Sequence, residues 1–411
     1  MGKIADLAEK LWTGETKEHP WTPLNELEEL DRGIAFMSSF ANVGAVATDE
    51  GLVLIDTGSF LLAKQVHETI RHWTPAALHT AVYTHGHVDH VFGVGPFEAE
   101  GKTPRPVVVA HEDLPARFDR YKLTAGWNGC INIRQFQMPG LRWPTQYRYP
   151  DVVYRDTTDL DVGGVRFRLF HARGETDDHT WVWLPERRVL FTGDLFIWAT
   201  PNAGNPQKVQ RYPQDWARAL RAMMALEPAL LLPGHGVPIV GAARVRQALD
   251  ETATLLEHLH DETVRLMNEG ARLDDIVHAV RAPAHLLKRP YLKPVYDEPE
   301  FVVRNVYRFY GGWWDGNPAH LKPAPEAAVA RELAALAGGA GALAARARAL
   351  ADGGDVALAC HLVEFAAQAA PDDAAVRAAR ADVYDRRAAE VRSVMARGVY
   401  RTAAAESRGE R

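Results

Sequence analysis

The stretch YTHGHVDHVFG, Tyr83 to Gly93, puts three histidines and an aspartate into six consecutive positions, His85 to His90. Imidazole and carboxylate are metal ligands, and neutral imidazole is the commonest of them. The stretch follows a short β-like run, Ala81-Val82-Tyr83, and Gly86 separates the first two histidines. A regular strand would send alternate side chains to opposite faces. A glycine-containing loop at a strand end can turn several of them inward together. The spacing therefore predicts a metal site at the end of a strand, completed by ligands from remote parts of the chain.

The rest of the sequence divides in two. From about residue 33 to 240 it carries short β-like runs punctuated by Gly, Pro and Asp. These are Asn42–Ala47, Leu52–Ile55, Ala81–Tyr83, Val107–Ala110, Val165–Phe170, Trp181–Leu184, Val189–Phe191 and Leu230–Leu232. Helical patterns at Ala63–His72 and Gln214–Leu226 lie between them, which predicts a layered α/β arrangement. From about 245 onward the pattern is helical. Ala243–Gly270 has Leu and Val at helical spacing, and 326–402 is alanine-rich, broken at Gly338-Gly339, Gly353-Gly354 and Pro371-Asp372-Asp373. Such helix pairs could stack like a tetratricopeptide unit and offer an interface to a second subunit.

Composition excludes several classes. A net charge of −6 gives no broad footprint for nucleic acid. No apolar run approaches the roughly 20 residues that span a bilayer, so no membrane partner is expected. The N-terminal residues lack an apolar signal core, and a cytoplasmic location is the expectation. Two cysteines far apart, Cys130 and Cys360, make neither a disulfide framework nor a thiolate zinc site.

THGHVDH resembles the signature of the metallo-β-lactamase superfamily, an αββα sandwich holding one or two metals at one edge. Three further segments fit its order. GLVLIDTGS (Gly51–Ser59) resembles the early strand-turn, with Asp56 supporting the ligands from behind. LFTGD (Leu190–Asp194) supplies Asp194, the family's bridging carboxylate, and LLLPGHG (Leu230–Gly236) supplies His235, its last ligand. One segment departs from the common text. HARGETDDHTWVW (His171–Trp183), aligned on His179, puts Glu175 where most members have a histidine. A glutamate there resembles the alkylsulfatase branch. The competing reading makes His171 or His179 the ligand and Glu175 a surface acid. His260–Val280 and Val303–Pro323, with GGWWDGNP at 311–318, resemble the helical dimerisation domain of the same branch.

The resemblance implies a fold and a chemistry. The fold is an αββα sandwich over 1–245, with an N-terminal extension at about 1–32, followed by an all-α dimerisation domain over 246–411. His85, His87 and Glu175 would hold one metal, and Asp89, His90 and His235 the other, with Asp194 bridging. Zinc, two ions per chain, is the family expectation; Fe or Mn also suits His with carboxylate. Asp89, Asp194 and Arg211 carry the catalytic assignments, Arg211 as the grip on a sulfate. The competing reading of Arg211 is a surface residue flanking a helix. The implied activity is hydrolysis of an anionic small-molecule ester, a sulfate ester, by metal-activated hydroxide, in a homodimer formed through the helical half. A thioester, lactone, β-lactam or phosphoester is the alternative substrate. The insert Tyr121–Pro144, with Tyr121, Asn128, Arg134 and Gln135, reads as a loop walling the pocket.

Overall fold

Side-chain alternation along the strands builds the layers of this protein. In the computed structural model, which describes residues 2–410, Val53 and Ile55 face a second sheet while Leu52 and Leu54 face helices. In Thr180–Leu184, Val182 and Leu184 face inward while Trp181 and Trp183 face the opposite helical layer. Period-two alternation with both faces apolar is what a sheet covered on both sides requires.

The first sheet has seven strands in chain order, from Leu27–Asp31 to Val152–Tyr154. Its early pairs are antiparallel, and Gly51–Ile55, Leu78–Val82, Val107–His111 and Val152–Tyr154 run parallel. The second sheet has six, in the order Ile239–Val240, Leu230–Pro233, Val189–Gly193, Thr180–Leu184, Val165–His171, Thr157–Val162. Residues from both sheets, such as Phe36, Val82, Phe167, Val182 and Phe191, fill the space between them. Helices Ala63–Trp73 and Leu114–Leu123 cover the first sheet, and Pro213–Ala225 covers the second. The αββα sandwich followed by a helical region is therefore the fold.

All eight strands expected from the sequence form. Five more do not stand out in the text: Leu27–Asp31, Ile34–Met37, Val152–Tyr154, Thr157–Val162 and Ile239–Val240. Leu27–Asp31 and Thr157–Val162 lie at sheet edges, where polar side chains face solvent and hide the pattern. The N-terminal residues also pack into the fold. Helix Lys3–Thr13 buries Ile4, Leu7, Ala8 and Leu11, and the Glu28 carboxylate accepts from the N–H groups of Gly2, Ile4 and Ala5 at its start.

The insert is a loop only over its last part, residues 137–144. Its first part is the end of helix Leu114–Leu123, and helix Ala125–Phe136 follows. Asn128, Ile131, Asn132 and Gln135 form the buried face of the second helix at the spacing of one helical side. Three of those four are polar, so hydropathy does not reveal the period.

The helix Ala242–Asn268 contains residue 245, the expected division, and packs along Pro213–Ala225. One core runs from Leu190 and Trp216 through Leu249 and Leu256 to Val303. The five helices between Glu326 and Arg408 have a core of their own, built on small residues such as Ala347, Ala359, Val363, Ala379 and Val383. The last of them, Val394–Arg408, packs against Ala125–Phe136 of the sandwich domain. Among the described residues no single helix is long and apolar enough to cross a membrane.

Candidate metal centre

The loop after strand Leu78–Val82 is held from two sides. Asp56, at φ 59° beyond the end of Gly51–Ile55, accepts from the Thr84 N–H and hydroxyl, each at 2.8 Å. Its Oδ2 also accepts from His90 Nδ1 at 2.7 Å, which leaves His90 Nε2 facing the site. Asp178 accepts from the Gly86 N–H at 2.9 Å and from Arg117 Nε at 2.7 Å. A Cβ on Gly86 would lie 2.7 Å from Arg117 Cδ, so only glycine lets the loop approach this closely. His235 is oriented in the same way as His90, its Nδ1–H donating to the Phe40 carbonyl at 2.5 Å, with Trp21 stacked on the ring at 4.6 Å.

Seven ligand-type side chains meet there. His85 Nε2 lies 2.7 Å from His87 Nδ1 and 3.7 Å from both Glu175 Oε2 and Asp194 Oδ2. His87 Nδ1 lies 3.5 Å from Glu175 Oε2. On the other side, Asp89 Oδ2 lies 3.8 Å from His90 Nε2 and 3.5 Å from His235 Nε2. Asp194 stands between the two groups, with Oδ1 3.4 Å from His90 Nε2 and Oδ2 3.3 Å from His235 Nε2. Tetrahedral ligands at bonds of about 2.1 Å are spaced roughly 3.4 Å apart, and these separations bracket that value.

The electrostatics ask for positive charge. Burial pushes the His85 and His87 imidazoles well down, with His90 adding to the effect at His85 and Arg211 at His87. Both rings therefore keep their lone pairs near neutrality. Burial also opposes charge on His90, yet Asp194, Asp56 and Asp89 outweigh it and raise that imidazole well above its usual range. Burial raises the Glu175 carboxyl, with Asp194 adding to the rise and Arg211 opposing it. His90 Nε2, Glu175 Oε2 and Asp194 Oδ1 are buried without a hydrogen-bond partner. An unpaired buried charged group costs more than the roughly 1–3 kcal/mol of a neutral one. The donor set thus suits a divalent cation, and two groups of it could each hold a metal ion: His85, His87, Glu175 and Asp194, and Asp89, His90 and His235.

Neither His171 nor His179 joins these groups. His179 Nε2 accepts the Asp194 N–H at 3.0 Å, and its ring stacks on His85 at 4.8 Å. His171 stacks on His111 at 3.6 Å. Glu175 is buried, not a surface acid. Arg211 is likewise buried, at 3 % exposure, which removes its reading as a surface arginine. Its Nη1 pairs with Glu175 Oε1 at 2.5 Å, and Asn202 Nδ2 donates to the same oxygen. With Oε1 held, Oε2 is left toward His85 and His87.

Above the site opens a cavity of about 280 Å³. Asp89, Glu175, Asp194 and His235 border it, and its walls are mostly apolar, with Phe40, Leu61, Leu62, Phe136, Leu141 and Trp143 among them. The insert does wall the pocket, but through Asn132, Phe136, Met138, Leu141 and Trp143. The four residues singled out from the sequence lie behind that wall or beside it. Gln135 donates to the Tyr296 hydroxyl at 2.7 Å, Arg134 to Gln207 at 2.8 Å, Asn128 to Thr124, and Tyr121 packs near His87 and Trp143. Lys208, Asn202, Tyr296 and Trp21 also reach the site and were not foreseen. Burial, with Arg211 nearby, pushes the Lys208 ammonium down to about 8. Its place three residues before Arg211 was the one available signal; Asn202, Tyr296 and Trp21 have none.

A family model for the metallo-beta-lactamase superfamily matches residues 39–235, and one for alkyl sulfatase dimerisation matches 272–410. The two matches together, with the relatives, support the alkylsulfatase-like branch of the metallo-β-lactamase superfamily. Among its relatives in that branch, a linear primary-alkylsulfatase of a Pseudomonas species is 30% identical over 317 residues, covering 72% of this chain and 60% of the relative. An (R)-specific secondary-alkylsulfatase of Pseudomonas sp. is 26% identical over 399 residues, covering 90% of this chain and 60% of the relative. The solved structure of the stereoselective inverting sec-alkylsulfatase Pisa1 from Pseudomonas sp. shares the fold, with a TM-score of 0.84 at 24% identity over 93% of this chain and 66% of that one. The chain spans 60% of the length of each of the two sulfatase relatives.

Proposed function

We propose that this chain is a dinuclear metal hydrolase that cleaves a sulfate ester, with zinc as the metal. His85, His87 and Glu175 would hold one ion, Asp89, His90 and His235 the other, and Asp194 both. When bound, such ions supply Lewis acidity and bring the pKa of water from about 15.7 towards 7. The chain's own residues do the rest. Asp194 Oδ2 lies near both groups, facing His85 and His235, and Oδ1 faces His90, so the one carboxylate joins them electrostatically. Asp89, the most open of the carboxylates at 20 % side-chain exposure, borders the pocket and is placed to accept a proton from the attacking water. Arg211 and Lys208 supply positive charge to an anionic group entering the pocket. The apolar walls receive the ester's carbon portion and exclude water.

The observation that carries this reading is the convergence of seven candidate ligands beneath an apolar pocket that also presents the buried Arg211 and the half-buried Lys208. The relatives, named as sulfatases of alkyl esters, support the substrate class. One observation favours a second reading, hydrolysis of a thioester, lactone, β-lactam or phosphoester. Arg211 is ion-paired with Glu175, which offsets the positive charge it can offer a sulfate. A panel of sulfate, phosphate and acyl esters, assayed after reconstitution with Zn²⁺, Mn²⁺ or Fe²⁺, separates the two. Sulfate release that vanishes with chelator supports the first; acyl turnover without sulfate release overturns it.

The helical half is proposed to form a homodimer. On helix Glu326–Leu336, Val329, Leu333 and Leu336 recur on one face and all are exposed, and Leu358 on the neighbouring helix is exposed as well. The helix pairs are tied to one another and present an apolar surface without a cover. Leu336→Glu should shift the sedimentation mass toward the monomer; a mass equal to wild type places the interface elsewhere.

A further inference from the structure

Three walls of the pocket trace back to a single short segment, Ser393 to Thr402, at the start of the last helix. The first wall is helix Ala125–Phe136, which brings Asn132 and Phe136 to the cavity. Gly398 lies against its C-terminal turn. A Cβ there would run into the Gln135 carbonyl oxygen and lie 2.8 Å from that of Arg134. From the other side, Gln137 Nε2 donates to the Arg134 carbonyl at 2.6 Å, the Gly398 carbonyl at 3.0 Å and the Thr402 hydroxyl at 2.9 Å. The second wall is the segment carrying Tyr296. The Val394 and Met395 N–H groups donate to the Val295 and Tyr296 carbonyls at 3.0 and 3.3 Å, and the Ser393 hydroxyl donates to Glu298 at 2.5 Å. The third is the segment carrying Lys208. Its neighbour Gln207 accepts from Arg134 at 2.8 Å and lies 3.9 Å from Met395 Sδ.

We propose that Gly398 and Gln137 are positioning residues for substrate selectivity: through them the C-terminal helical region sets the distance of the pocket's apolar wall from the metal centre. Neither side chain position lines the cavity. Their effect passes through the backbone of residues 134–137 to Phe136 and Met138. A methyl group at 398 cannot enter without displacing two backbone carbonyls, which have no flexible end to yield. Loss of the Gln137 amide releases the same turn without adding bulk. Both changes disturb contacts to the carbon chain of a ligand and leave the metal ligands untouched. The inference rests on the proposed sulfate-ester reading for the choice of ligand alone.

The test uses the full-length chain and two non-hydrolysable probes, butyl and dodecyl sulfonate, with binding followed by calorimetry beside turnover of the matching sulfates. In Gly398→Ala and in Gln137→Ala, the ratio of dodecyl to butyl affinity should change by about tenfold, the effect of one methylene in a tight apolar pocket. Metal content should stay at the wild-type value, and the change should fall on KM more than on kcat. Arg401→Ala, an exposed position on the same helix, is the control and should leave the ratio unchanged. If Gly398→Ala fails to fold, Gln137→Ala alone decides. An unchanged ratio in the folded variants overturns the proposal, as does equal movement in Arg401→Ala. Wild-type protein that binds the sulfonates selectively but turns over no sulfate refutes the functional reading and leaves this one standing. Wild-type protein that binds neither probe overturns both.

Discussion

Replacing Glu175 by glutamine tests the site at its most unusual position. The change keeps volume and a carbonyl oxygen but removes one negative charge. Glu175 Oε2 lies 3.5 Å from His87 Nδ1 and 3.7 Å from His85 Nε2, so a cation held by those nitrogens is also next to this carboxylate. Unit charges about 4 Å apart interact by about 4 kcal/mol at an effective dielectric of 20. At 1.4 kcal/mol per decade this is roughly a 10³-fold loss of affinity. The second group keeps Asp89, His90, His235 and Asp194 and should keep its ion. On the proposed dinuclear reading, dialysis against a graded chelator followed by elemental analysis should therefore find two metals per chain in wild type and one in Glu175→Gln. Arg211 loses its charged partner at the same time. Breaking a buried pair costs about 3–5 kcal/mol, less here because the amide oxygen can still accept from the guanidinium. The urea midpoint of the variant should fall accordingly. His171→Ala and His179→Ala, run in parallel, supply the contrast. Two ions at unchanged affinity in Glu175→Gln, or loss of an ion in His171→Ala in its place, would refute the reasoning.

Other outcomes follow from the same geometry. Asp194→Ala should abolish hydrolysis with the circular dichroism spectrum retained, since this side chain faces both ligand groups; retained turnover would remove it from the centre. Arg211→Ala should raise KM or lower kcat for a sulfate ester and weaken metal binding at the Glu175 side, because it fixes Glu175 Oε1; an effect on solubility alone would contradict both roles. Asp297 is fully buried, accepting from the Gly204 and Glu298 N–H groups, and burial pushes its carboxyl up to about 7 from an ordinary 3.8. The folded state then holds this proton longer than the unfolded state does. Its contribution is intact below about pH 4 and is lost as pH rises through 7, up to about 4 kcal/mol at 1.36 kcal/mol per unit. Urea midpoints at pH 5 and pH 8 should differ less in Asp297→Asn than in wild type, and an equal difference would refute the assignment.

The layered fold was legible because each strand carries its own evidence. Leu52 to Ile55 alternate between two apolar environments, and such a period needs no knowledge of the neighbours. Six of the seven candidate ligands were legible for a related reason. His85, His87, Asp89 and His90 share one loop, and Asp194 and His235 each follow a strand in a recognisable motif. Polar helices and edge strands were harder. Ala125–Phe136 buries Asn128, Asn132 and Gln135, whose partners lie elsewhere in the chain, so its hydropathy resembles that of a loop.

Local text determined most of the strands, the sandwich, the helical second half and the crowd of candidate ligands, because backbone period and ligand spacing are short-range properties. Tertiary structure alone decided that Arg211 is buried against Glu175, that Trp21 stacks on His235, and that the last helix closes on the pocket wall through Gly398. Those pairings join residues 36, 214 and more than 260 positions apart. They arise only once hydrophobic burial has brought the layers together, and that burial is set by summed surface area, which no short segment encodes.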